Sequence, residues 1–143
     1  MTIAKIYEQS LLVTSICTVL VAVTLPLSAA DRMTPGQWEF ILTSNGESRT
    51  MKQCMTADQA NEMNGDSKTA RGFAEKRMNG RCTIKSYDVQ GNTVKYSLVC
   101  GDRTIESSTT FTGDTSEGTL TTTTADGKVD AKTVKARRLG SCP

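Results

Sequence analysis

The sequence predicts a mainly β protein: an antiparallel meander of about seven strands forming a curved sheet or small open barrel, with one short helix after the first hairpin. Three observations carry that expectation. Asn45-Gly46 separates two strand-like runs, and Asn-Gly is the strongest short hairpin signal. From Arg81 onward, turn signals at Gly91-Asn92, Gly101-Asp102, Gly113 to Gly118 and Asp126-Gly127 recur at intervals of about ten to fourteen residues. Between them, apolar and polar residues alternate with the period that sends successive side chains to opposite faces of a sheet. A two-sheet sandwich fits the same spacing and stays open at this point.

Residues 1–30 read as an address rather than as part of the fold. Lys5 and the amino terminus precede Leu11 to Leu27, a run with no charged side chain. Pro26 then breaks the apolar helix, and Ser28-Ala29-Ala30 offers small residues for cleavage after Ala30. The expectation is a signal peptide at 1–30, a single disulfide-stapled β domain at 31–143, and a periplasmic or secreted location. The competing reading is an uncleaved anchor, with an apolar run at the short edge of what spans roughly 30 Å of hydrocarbon. Cys17 lies inside that run after Ile16 rather than after a small residue, so it reads as an ordinary signal residue. Once the leader is removed, no integral membrane protein is expected.

The first hairpin joins Gln37 to Thr43 with Glu47 to Cys54. A two-residue loop pairs Phe40 with Met51 and Leu42 with Arg49 on one face, and Glu39 with Lys52 on the other, a chemically sensible register. Thr56-Ala-Asp-Gln59 then has capping-box spacing, so a helix is expected over Ala57 to Asn64, ended by Gly65. Asp66 to Asn79 has mixed charge, weak periodicity and a single aromatic, Phe73, and reads as a loop with some helical character. In the later strands, Val94, Tyr96 and Leu98 share one face against Lys95, Ser97 and Val99, and Ile105, Ser107 and Thr109 alternate in the same way.

Beyond residue 30 the cysteines are Cys54, Cys82, Cys100 and Cys142. An even number after export implies two disulfides. Cys82 and Cys100 are equidistant from Gly91, and a three-residue loop would set them opposite each other across the ladder, within bridging distance. That pairing leaves Cys54–Cys142. Together the two bonds matter for a domain with so few aromatic residues to fill a core.

Composition limits the chemistry. The chain has 17 basic and 15 acidic residues, a net charge of +2 and no histidine. Imidazole acid–base catalysis, Ser-His or Cys-His nucleophiles and histidine-containing zinc sites are therefore out of reach, and nothing in the charge points to nucleic acid. No Ser-x-x-Lys or Gly-x-Ser-x-Gly motif supplies an alternative nucleophile.

Several clusters remain as candidates, each beside a plainer reading. Trp38 and Phe40, with Tyr96 and Phe111, can line an apolar pocket on the inner face; the Trp38 strand reads more simply as the core stripe of a half-buried strand. Met51, Cys54, Met55 and Met63 form a soft cluster of the kind that takes Cu(I), although a disulfide at Cys54 would remove its thiolate and methionine also serves as a gap-filler. Asp114, Glu117, Asp126 and Asp130 are the carboxylate clusters; their Gly-Asp context is ordinary turn chemistry. Lys132, Lys135, Arg137 and Arg138 can meet anionic head groups but read more simply as a solvated strand face. The threonines between Thr104 and Thr133 follow β-propensity. No metal or cofactor is expected.

The stretches Met33-Thr-Pro-Gly-Gln-Trp-Glu-Phe40, Cys54-Met-Thr-Ala-Asp-Gln59, Phe111-Thr-Gly-Asp114 and Ala136-Arg-Arg-Leu-Gly-Ser-Cys142, with Cys82 and Cys100, resemble the domain-of-unknown-function family 3617. The resemblance spans nearly all of the chain after the leader. It implies a small exported bacterial protein and carries no catalytic residue onto this sequence. The functional expectation is a non-enzymatic protein that binds a small apolar ligand or a protein partner on a curved sheet. The alternatives are an envelope interaction module that docks through an edge strand and a carboxylate-based enzyme.

Overall fold

The computed structural model describes residues 31–143, so the leader expected at 1–30 lies outside the described residues. In chain order the elements are β1 (Gly36–Ser44), β2 (Glu47–Met55), α1 (Ala57–Asn64), α2 (Ser67–Met78), β3 (Thr83–Gln90), β4 (Thr93–Cys100), β5 (Arg103–Phe111), β6 (Thr115–Thr124) and β7 (Val129–Gly140). All seven strands belong to one antiparallel sheet in the order β2-β1-β7-β6-β5-β4-β3. This single open sheet replaces the sandwich alternative. The meander runs from β3 to β7 only. The first hairpin joins at its far side, with β1 pairing β7, because an all-local order is broken by the helical excursion between β2 and β3.

The first hairpin has the expected register, Phe40 opposite Met51, Leu42 opposite Arg49 and Glu39 opposite Lys52. Asn45 and Gly46 both take positive φ, 50° and 81°, the geometry whose twist matches the flanking strands. α1 starts and stops where its capping box and Gly65 imply: Thr56 Oγ1 accepts from the Gln59 amide, and the Gln59 side chain accepts from the Thr56 amide.

α2 corrects the loop reading of Asp66 to Asn79. Asp66 caps it by accepting from the Thr69 amide at 2.8 Å, and Asn79 closes it in the left-handed region. Its apolar positions Ala70, Phe73, Ala74 and Met78 fall on one helical stripe, too sparse among charged residues to stand out as a period. Gly113 to Gly118 is corrected too. The turn is confined to Thr112–Asp114, and Gly118 lies within β6. A Cβ there would come within 2.6 Å of Thr109 Oγ1 and also meet the Ser108 carbonyl, so only glycine permits this approach of β6 to β5.

Cys82–Cys100 and Cys54–Cys142 are both bonded, with Cα–Cα separations of 4.3 and 5.4 Å. The first reaches its register by a different route from the expected three-residue loop. Gln90 pairs with Thr93 across a two-residue turn, and a bulge between Ile84 and Ser86 supplies the extra residue that brings Thr83 opposite Val99. The second ties the end of β2 to the residues after β7. Trp38, with no exposed surface, centres a core that includes Met33, Met55, Phe73, Val94 and Phe111.

Candidate functional site

A cavity of about 400 Å³ lies between the inner face of the sheet and α2. Residues of both edge strands line it, Met51 on β2 and Tyr87 on β3, so the sheet curls far enough for its two edges to share one space. The volume falls within the range of small-molecule pockets. Every methionine of residues 31–143 lines it: Met33, Met51, Met55, Met63 and Met78. Their unbranched thioether chains adapt to irregular contents. Tyr87 and Tyr96, paired across β3 and β4, stack with ring centroids 6.0 Å apart. Burial pushes the Tyr87 phenol above its ordinary value, and Tyr96 adds to the shift.

Of the expected pocket residues, Phe40, Tyr96 and Phe111 line the cavity. Trp38 does not. Its ring is buried 6.3 Å from Phe40, and Nε1 donates to the Thr34 carbonyl at 2.9 Å. Alternation put Trp38 and Phe40 on the correct face without saying how deep each one sits. Met78 and Arg77 were missed because their helix was not recognised, and Tyr87 because the Lys85 bulge reverses the alternation before it.

The soft cluster is dispersed in function: Cys54 is oxidised, while Met51, Met55 and Met63 face the cavity. Three of the four carboxylates have ordinary partners, and Asp114 enters only through its backbone, in the turn before β6. Glu117 pairs with Lys135 at 3.0 Å, and Asp130 accepts from Lys132 and Ser44 at 2.8 and 2.7 Å, which lowers its pKa. The Thr124 hydroxyl and the Lys128 amide do the same for Asp126. Of the basic stretch, Arg137 pairs with Glu39 at 2.8 Å, and Arg138 Nε donates to the Pro35 carbonyl. Among the described residues no cluster of three or more Cys, Asp or Glu stands close enough to hold a metal ion, and no helix is long and apolar enough to cross a membrane.

Arg32 is the least expected residue. Only 5% exposed, it donates from Nη1 to the Gly91 carbonyl at 3.2 Å and from Nη2 to the carbonyls of Met63, at 2.7 Å, and Gly65. Its Nε has no partner. The neighbouring Met33 backbone exchanges two hydrogen bonds of 2.9 Å with the Asn64 side chain. The segment before β1 is therefore strapped to the C-terminal end of α1 and to the β3–β4 turn, and this strap holds the helices over the sheet.

Neither a curated protein nor a solved structure matches the chain. The model of the family described as protein of unknown function (DUF3617) matches residues 33–142, from the strap to the last cysteine, and the chain belongs to that family.

Proposed function

We propose that this is an exported, non-enzymatic binding protein that holds a small apolar ligand between its curled sheet and α2. The observation that carries the reading is the cavity, with five methionines and the stacked tyrosines along its wall. A domain this short of apolar residues gains by filling its interior with them, so a void of about 400 Å³ left among bulky side chains argues for an occupant. Two disulfides and the apolar leader ending in Ser28-Ala29-Ala30 support export to an oxidising compartment. The lining contains no carboxylate, cysteine or lysine, so the hydroxyls of Tyr87, Tyr96, Ser107, Thr109 and Ser116 have no general base of those kinds beside them in the cavity wall, which supports a binding role.

The test is a titration of the disulfide-bonded protein, labelled with ¹³C at its methionine methyl groups, with decan-1-ol. Saturable shifts of the methionine methyl resonances, all five of which belong to the cavity wall, are expected. Shifts in none of them would overturn the reading and favour docking of a protein partner along the open edge of β2.

A further inference from the structure

The residues lining the cavity include one formal charge, Arg77. It lies exposed in the last turn of α2, one turn beyond the buried Phe73, so it stands where the cavity opens to solvent beside the 54% exposed Met51. Of the other cations on α2, Arg71 pairs with Glu75 at 2.9 Å and Lys76 with Glu62 at 3.1 Å, while Lys68, in the first turn, does not line the cavity. Among the described residues, no carboxylate pairs with Arg77. Its guanidinium is held instead by neutral groups. The Gln53 amide, oriented by this contact, accepts from Nη1 and Nη2 at 2.8 and 2.6 Å, and the Phe73 ring lies 5.5 Å beneath Cζ. Gln53 and Phe73 both line the cavity, so the cation is positioned at its mouth with N–H donors to spare and its charge uncompensated.

We propose that the ligand is a single-chain amphiphile with an anionic head, its chain among the methionines and its head on Arg77; this rests on the cavity being a ligand site. The volume accommodates on the order of a dozen water-sized groups, which suits one alkyl chain of moderate length rather than the two long chains of a membrane phospholipid. A guanidinium recognises a carboxylate or phosphate head through paired N–H donors. The carbonyl end of α2 opposes an anion with about half a charge, and the full charge of Arg77 outweighs it.

The experiment compares three probes of equal chain length, decanoate, decan-1-ol and decyltrimethylammonium, by methionine-methyl shifts at neutral pH and below micelle formation. Decanoate is expected to bind about tenfold more tightly than the alcohol, the scale of one charge-assisted hydrogen bond partly open to water. Decyltrimethylammonium should bind most weakly. In Arg77→Gln the three should converge, while Arg77→Lys should retain part of the preference. Equal binding of decanoate and decan-1-ol, or a preference that survives Arg77→Gln, would overturn the charge assignment and leave the cavity reading standing. Failure of all three probes to move any methionine would overturn the cavity reading itself.

Discussion

Replacing Arg32 by Met tests the strap directly. The wild-type guanidinium satisfies three carbonyls, two of them at the end of α1, where the last turn of a helix has no intrahelical donors to offer. Removing it forfeits hydrogen bonds from a charged donor and leaves those carbonyls buried, at about 1–3 kcal/mol for each group stranded. On the other side, burying a guanidinium with no carboxylate and an unpartnered Nε costs several kcal/mol, and a methionine of similar length escapes that cost. With three acceptors against one orphan donor, the balance favours arginine by about 3 kcal/mol. At a slope of roughly 1.5 kcal/mol per molar, the urea midpoint of Arg32→Met, followed by Trp38 fluorescence with the disulfides intact, should fall by about 2 M with the slope unchanged. Arg32→Lys, which keeps the charge but not the fork of donors, should fall between the two. A midpoint for Arg32→Met at or above the wild type would refute the reasoning: the arginine would then be a tolerated cost and not a clasp.

Gly118→Ala should destabilise by about 1–3 kcal/mol in the same urea assay, because its Cβ meets Thr109 and the Ser108 carbonyl, whereas Gly72→Ala in α2 meets nothing within 4 Å and should stabilise by about 0.5–1 kcal/mol. Removing both cysteines of the 88-residue loop should cost about 4.6 kcal/mol against about 3 kcal/mol for the 18-residue loop, an order that urea midpoints of the two double Cys→Ser variants will check. The stability–pH profile should also be flat across a wide middle range. Asp66, Asp126 and Asp130 are held below the ordinary 3.8, so their contribution is complete above that value and is lost as pH falls through the lower folded-state values. Tyr87 is held above 10.0, so its contribution is complete below that value and is lost as pH rises through the higher one. Asp66→Asn should flatten part of the acid limb of thermal melting curves, and Tyr87→Phe part of the alkaline limb.

Features set by neighbouring residues were legible in the sequence. Asn45-Gly46 specifies both a turn and a register, and Thr56 with Gln59 marks the start of a helix to the residue. The cysteine pairing followed from symmetry about Gly91, although the bulge at Lys85 and not the turn provides the alignment. What escaped depends on distant partners. α2 buries only Ala70 and Phe73 and presents charged residues over most of its surface, so the pattern that announces a helix is thin. The insertion of β7 between β1 and β6 is a choice among strand edges that no local signal encodes. Arg32, a lone cation beside an acidic residue near the start of the folded part, becomes notable only once Met63, Gly65 and Gly91 converge on it.

The two disulfides are nested: the bond between the second and third cysteines lies inside the loop closed by the first and fourth. A chain that appears N-terminus first presents Cys82 to Cys54 long before Cys142 exists, and the strand that docks the first hairpin, β7, is also the last to be made. Oxidation in order of appearance therefore joins Cys54 to Cys82 and strands Cys100 with Cys142. Native protein would then require thiol exchange, the reaction a disulfide isomerase catalyses, whereas side-by-side pairings would be reached by oxidation in order of appearance alone.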